Sequence, residues 1–405
     1  MELVLQNQKT TAVGLLPLDW EVKSIRDVCV LINGRGFKPF EWKKEGLPII
    51  RIQNLNGSID YNYYDGLYDK KIEVENGQLL FAWSGSRGTS FGPHIWFGSK
   101  ALLNYHTWKI VINEDKIDKS YFNHALKVLT KYIEENAHGA SALVHTQKWE
   151  MEGFQFPTPP TKAEQATIAT ALSDADALIS SLEKFIAKKR NIKQGAMQKL
   201  LEPKEGWEVK KLGEVLKGIQ LGGNYPNSEV ISDFPLIKMG NIQRGYISTS
   251  KIEYIISDFF PEKRDKLNFG DVLFNTRNTL ELVGKVSIWK DELEIAYFNS
   301  NLMRFEFSQE YISSNYFMNS IFNTQNIISK LKDIATGTTS VAAIYTRDLI
   351  KLEISIPSKQ EQTRIATILS DMDTEITALE IKLEKYKKVK LGMMQNLLTG
   401  KIRLV

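Results

Sequence analysis

Cysteine is almost missing from this chain: Cys29 is the single one in 405 residues, which excludes an internal disulfide and any metal site built on a cysteine cluster. It reads as a small apolar core residue. Long apolar runs are missing too, since no stretch approaches the roughly 18 consecutive apolar residues of a membrane span. The opening MELVLQNQKTTAVGL has no basic segment followed by a long apolar one, so no secretory leader is expected and the cytoplasm is the default. The five histidines, His94, His106, His124, His138 and His145, show no HExxH or other tight ligand spacing, and no metal is expected. Extreme charge is absent as well. A net charge of +4 and a pI near 8.7 permit nucleic acid as a partner without demonstrating it.

Catalytic signatures are also missing. No Walker A sequence is present, so ATP-driven movement is not encoded here. An adenine methyltransferase needs a cofactor-binding glycine loop and an Asn/Asp-Pro-Pro-aromatic motif to hold a flipped base. The only adjacent prolines, Pro159-Pro160, belong to a helix lead-in. Glu-x-Lys, part of a common nuclease signature, occurs at Glu41–Lys43, Glu202–Lys204 and Glu380–Lys382 among other places, as chance provides in a chain rich in both residues.

What is present is ordinary globular composition, 42% hydrophobic and 25% charged, in a chain long enough for two or more domains. Above all there is a repeat. Pro160–Leu201 and Pro357–Leu398 align without gaps at 21 identities in 42 positions, which marks a duplicated unit. Each copy opens on a capping box, Thr161-Lys162-Ala163-Glu164 and Ser358-Lys359-Gln360-Glu361, and is expected to form one helix of about 39 residues, roughly 58 Å long.

The apolar spacing in both copies follows a heptad. Ile365, Leu369, Met372, Ile376, Leu379, Leu383 and Tyr386 alternate steps of four and three, and Ile168, Leu172, Ala175, Ile179, Leu182 and Ile186 keep the same phase. Two such seams in one chain most simply bury each other as an antiparallel coiled coil. Each seam then meets a lysine, Lys193 or Lys390, near Gly195 or Gly392. A glycine inside a helix costs about 1 kcal/mol relative to alanine, so its occurrence twice suggests close backbone approach, or else simple inheritance from the ancestral unit.

The segments before the helices repeat more faintly. Asp19-Trp20-Glu21-Val22-Lys23 returns as Gly206-Trp207-Glu208-Val209-Lys210, and Gly77–Phe81 as Gly270–Phe274. Runs such as LPIIRI, QLLFAW, FPLIKM and DVLFNT predict strands, and Ser120–Glu134 and Tyr311–Lys332 predict helix. The expected fold is therefore α/β (α+β): two mixed domains and a long antiparallel two-helix coiled coil, arranged as an internal pseudo-two-fold repeat. The expected order is domain 1–158, helix 159–203, domain 204–356, helix 357–405.

This arrangement resembles the specificity (S) subunit of type I restriction-modification systems. The resemblance covers nearly the whole chain and rests on the tandem order, the P-[ST]-x-x-E-Q starts at Pro160–Gln165 and Pro357–Gln362, and Gly337-Thr338-Thr339-Ser340 before the second helix. One departure is His138-Gly139-Ala140-Ser141-Ala142, where the second domain has Gly-Thr-Thr-Ser. The family implies two target-recognition domains, each reading half of a bipartite asymmetric site in double-stranded DNA. It also implies helices that set the spacing and dock methyltransferase subunits, two copies here, with a restriction/translocase subunit joining for cleavage. S-adenosylmethionine, ATP and Mg would bind those partners, and this chain would carry no cofactor.

Reading DNA requires side chains that reach base edges, with arginine suited to guanine and asparagine or glutamine to adenine. Candidate loops are Arg51 and Asn54, then Ser86 and Arg87, in the first domain. Their counterparts are Lys238, Asn241 and Arg244, then Arg277 and Asn278, in the second. A third pair before the helices contributes Lys148 and, on the other side, Thr339 and Arg347. Arg87 and Arg277 are the strongest base readers; Lys43, Lys44, Lys148 and Arg347 suit phosphate. Asn54 and Asn241 could equally cap turns. The competing readings are a protein-binding coiled-coil scaffold without sequence-specific DNA binding and an enzyme with an unfamiliar site.

Overall fold

A computed structural model of the chain describes residues 8–136 and 143–404. Five helices of eight residues or more occur among these: α1 (Lys119–Asn136), α2 (Lys162–Leu200), α3 (Asn315–Phe322), α4 (Gln325–Asp333) and α5 (Lys359–Leu397). The chain divides into two compact units, one made of Met1–Glu183 with Lys382–Val405 and the other of Lys184–Ile381. This division does not follow the sequence boundaries. It cuts through both long helices, so each unit owns the start of one and the end of the other.

In the first unit, Cys29–Asn33, Thr107–Ile112, Leu79–Ala82 and Gly92–Ile95 form an antiparallel sheet in that spatial order. A second sheet orders Asn62–Tyr64, Leu47–Ile50, Ala101–Leu103 and Glu73–Val74, with the middle two strands parallel. The second unit repeats the first sheet strand for strand as Leu216–Leu221, Leu302–Phe307, Val272–Asn275 and Val286–Ile288. Its other sheet keeps the same three central strands, Glu253–Ile255, Pro235–Ile237 and Tyr297–Phe298, including the parallel pair. The edges differ. The first unit adds a strand beside Ala101–Leu103, the second adds Asn227–Ser228 beside Glu253–Ile255.

The repeated Trp-Glu-Val-Lys motif has a clear task. Glu21–Ser24 pairs antiparallel with Gln155–Thr158, and Glu208–Lys211 pairs with Glu353–Ile356. Each pairing brings the start of a head to the strand that leads into its long helix. Trp20, fully buried, sits in one core with Phe81, Trp108, Phe122, Ile168, Leu172, Leu397 and Leu398. The second core likewise joins Phe274, Phe305, Phe317 and Phe322 to Leu201, Ile365 and Leu369. The first turns of each seam are thus buried by the head as much as by the opposing helix. The heptad spacing alone could not show this, because a core-facing stripe and a coiled-coil stripe share the same positions.

Farther along, the helices do pair. In the first unit Asp176 meets Lys390 and Glu183 meets Lys387; in the second, Lys189 meets Glu375 and Lys193 meets Asp373. Residue numbers rise on one helix as they fall on the other, so each pairing is antiparallel. Leu182, Ile186 and Ile376 are buried, while Ile179, Leu379 and Leu383 are half-buried. Close backbone approach at Gly195 and Gly392 is not seen: a methyl group built at either meets nothing within 4 Å.

Candidate nucleic-acid interface

The four-residue turn after Leu47–Ile50 is held by Asn54. Its Oδ1 accepts from the Arg51 N–H at 3.0 Å, and its Nδ2 donates to the carbonyls of Ser58 and Asp60 at 3.1 and 2.9 Å. Asn241 repeats this with Lys238, Ser248 and Lys251 at 2.9, 3.0 and 2.8 Å. Both asparagines are buried. Each amide accepts one and donates two bonds within its own turn, which is the turn-capping alternative for these residues rather than base contact. Lys238 is likewise engaged, with Nζ donating to Glu253 and Asn227 at 2.8 and 2.9 Å. The Arg51 guanidinium lies 5.2 Å from the centre of the Trp42 ring and is half-buried.

The next loop is different. Ser84–Ser86 pairs antiparallel with Leu143–His145, and Arg277–Asn278 pairs with Ala342–Ala343, which in turn pairs with Thr336–Gly337. Gly337, at φ +137°, has Val341 and Ala342 backbone where a Cβ would stand, which accounts for glycine there. Thr339 is tied to the same ribbon, its carbonyl accepting from the Leu280 N–H at 3.1 Å. Arg277 and Asn278 therefore lie on one small sheet, with Thr339 in the bend that joins its other two strands. Asn278 is half-exposed and accepts from the Thr279 N–H at 2.9 Å; Arg277 is exposed. In the first head the corresponding segment, including the His138–Ala142 departure, lies outside the described residues.

The strand register corrects one correspondence. Thr146 N–H donates to the Trp83 carbonyl and Ile344 N–H to the Thr276 carbonyl, at 3.1 and 3.0 Å. Trp83 is thus equivalent to Thr276, and Ser84, not Arg87, to Arg277. Arg87 stands beyond the strand end, exposed, where the second head has Leu280. Ser86 donates its N–H to Ser90 Oγ at 2.7 Å, part of the turn's own closure. Counting three residues on from the aligned Phe81 and Phe274 gives the same correspondence, so the sequence alignment already held it.

The remaining candidates scatter. Lys148 begins a short helix and lies 3.6 Å from Glu152. Arg347 is largely exposed, with Nε 3.3 Å from Asp348 and its guanidinium over Tyr345. Arg244 does not join the Arg277 surface; it lines a crevice with Arg190, Lys193 and Tyr316.

Sequence reasoning missed what the repeated Glu-Gln pair does. Gln165, buried, accepts the Asp118 N–H at 2.8 Å through Oε1 and donates Nε2 to the Pro159 carbonyl at 3.1 Å. Gln362, also buried, accepts from Ser313 at 3.0 Å and donates to Tyr311 and Pro357 at 2.8 and 3.0 Å. The identical glutamine in both copies is the signal that could have found it. The preceding glutamates do not close the expected capping box. Thr161 and Ser358 accept the Glu164 and Glu361 N–H groups, but the Glu164 carboxylate takes Arg403 at 2.8 and 2.7 Å, and Glu361 takes Arg364 at 2.6 Å through each oxygen.

The lysines that interrupt the seams are partnered symmetrically. Lys390 meets Asp176, with Lys127 3.5 Å away, and Lys193 meets Asp373, with Lys290 at 3.4 Å and the Tyr316 hydroxyl donating to the carboxylate. Burial pushes the Asp373 carboxyl up, yet Lys193, Tyr316 and Lys290 together outweigh it and hold the group below the usual carboxylate range. Asp176 behaves alike: burial raises it, and Lys390 and Lys127 outweigh that. Burial, aided by Lys127, drops His124 to about 4, so it is neutral near pH 7 and bonded to Ser173 Oγ at 3.1 Å.

A duplicated head scaffold, diverged loop side chains and two helices with matched polar pairs define a protein with two recognition modules. The type I restriction modification DNA specificity domain matches residues 17–194 and again 204–387, and the chain belongs to that family. Among its relatives, the MjaVIII type I restriction enzyme specificity subunit of Methanocaldococcus jannaschii is 28% identical, across 96% of this chain and 94% of the relative. The putative MjaX specificity subunit of the same organism is 30% identical, across 98% and 97%. The fold matches the crystal structure of a type I S subunit from M. genitalium with a TM-score of 0.58 at 16% identity, covering 94% of this chain and 96% of that one.

Proposed function

We propose that this chain is the non-catalytic DNA sequence-recognition subunit of a type I restriction-modification complex. Each head reads one half of a bipartite asymmetric site in double-stranded DNA. The long helices fix the interval between half-sites and dock two methyltransferase subunits. Methyl transfer and ATP-dependent cleavage belong to those subunits and to a restriction subunit, which hold S-adenosylmethionine, ATP and Mg; the complex works in the cytoplasm. The observation that carries this reading is the contrast within the repeat. The order of the first sheet, the parallel pair of the second, the bracing asparagines and the docking glutamines are the same in both heads, while the loop surfaces differ, with Trp83-Ser84 in one and Thr276-Arg277 in the other. A scaffold kept constant under changed loops suits two modules that read different sequences on one backbone geometry.

The test is modified-base sequencing of the host genome with and without the gene. Loss of adenine methylation at one asymmetric bipartite motif is the expected result. Methylation that persists at every motif, in a strain where the methyltransferase subunit is expressed, would favour the protein-binding scaffold instead.

A further inference from the structure

Arg244 poses a physical problem that the recognition loops do not solve. It is half-buried, makes no hydrogen bond or ion pair with any described residue, and its Nη1 is closed off from solvent without a partner. A guanidinium in that position normally has a carboxylate, because removing the charge from water is costly unless it is paired. Here the neighbouring charges make matters worse. Arg244 lines a crevice of about 600 Å³ whose walls also carry Arg190, Lys193 and Lys290. Among the described residues, two carboxylates face the same space. Asp373 is already shared by Lys193 and Lys290, and Glu380 is taken by Arg190 at 2.5 Å. That leaves Arg244 uncompensated. Lys285 adds a further cation close by; its Nζ finds only the Gln243 Oε1, at 3.1 Å, and both burial and Arg244 push its ammonium below the ordinary lysine range.

We propose that this crevice is an anion site that takes a backbone phosphate of bound DNA, with Arg244 as its principal ligand and Arg190 at its rim. Phosphodiester oxygens accept from the planar fork of N–H groups that arginine presents, and the negative charge offsets part of the crevice's positive excess. The site lies on the helix-facing side of the second head's outer loop, whereas Arg277 stands on the ribbon of residues 336–343. A phosphate there orients the head and carries no sequence information. The inference rests on the DNA-recognition reading, and its test separates the two.

The full-length chain is titrated with inorganic phosphate at constant ionic strength, chloride making up the balance, and its thermal midpoint is followed. Sequence-specific binding to a duplex carrying the methylated motif is then measured against salt. The wild-type midpoint rises saturably with phosphate, and Arg244→Gln abolishes the rise. The same substitution lowers the slope of log K against log salt by about 0.9, the contribution of one phosphate contact, while the preferred sequence is unchanged. Arg190→Gln, an exposed position whose loss the helix tolerates, weakens both effects and serves if Arg244→Gln does not fold. A phosphate effect lost with no change in the DNA slope assigns the site to a free phosphate compound and overturns the DNA assignment. No phosphate effect in the wild type and no slope change in either variant overturns the site, with site-selective DNA binding still standing. Absence of site-selective binding in the wild type overturns the recognition reading itself.

Discussion

Replacing Asp373 with asparagine isolates the polar pair that interrupts the second unit's helix seam. The carboxylate is about 24% exposed and Lys193 about 25%, and the same oxygens serve Lys290 and the Tyr316 hydroxyl. The substituted amide keeps the shape but leaves two lysines facing each other without a counter-charge. Breaking a fully buried pair costs about 3–5 kcal/mol; at one-quarter exposure, roughly 2–3 kcal/mol is expected. The surface pair Lys217–Glu306 of the same unit, with side chains 69% and 61% exposed, supplies the control, and Glu306→Gln should cost no more than about 0.5 kcal/mol. Native-state hydrogen exchange read on peptides from residues 184–381 follows this unit apart from the other, which a single melting curve would not do. The pH dependence adds a second constraint. A carboxyl held below its unfolded value contributes stability above that value and loses it as pH falls through the folded one. The gap between wild type and Asp373→Asn should therefore be full at neutral pH and narrow below about pH 4, where the reference carboxyl of 3.8 begins to protonate. A neutral-pH gap under about 0.5 kcal/mol, or one unchanged at pH 3, would refute the reasoning.

Two further outcomes are expected. Gly195→Ala and Gly392→Ala should each stabilise the isolated chain by about 1 kcal/mol, since an added methyl meets nothing within 4 Å and helix propensity improves; thermal unfolding checks this. Arg277→Ala should weaken binding by about 1–3 kcal/mol and relax the choice at one position of the second half-site, whereas Lys238→Ala, whose ammonium is held by Glu253, should leave the preferred sequence intact; a selection from randomised duplexes measures both.

The sequence makes the helices and the repeat legible because duplication and heptad spacing are periodic signals that survive divergence. The paired Lys193 and Lys390 are visible as breaks in the seam; their partners, Asp373 and Asp176, are not, because those aspartates belong to the opposite helix. The loops are legible only as polar segments. Asn54 and Arg277 share the chemistry of a base reader, yet one is wrapped by its own turn and the other stands free, a difference decided by hydrogen bonds between residues several positions apart. The registration of Arg277 with Ser84 is legible by counting on from the aligned Phe81 and Phe274, and two backbone bonds, Thr146 to Trp83 and Ile344 to Thr276, agree with it.

The division of the helices also sets an order in time. The second unit is one continuous stretch, Lys184–Ile381, and all of its core residues have been synthesised before Lys382 is reached. The first unit is not continuous. Its core includes Leu397 and Leu398, and the Asp19 and Glu164 carboxylates are met by Arg403. At about 5–20 residues per second, the ribosome needs roughly 10–40 s to travel from residue 183 to Leu398. During that interval the N-terminal head exists with the floor of its core open. The head translated earlier is thus the one that closes later, and a message truncated before Leu397 damages that head rather than the one nearer the break.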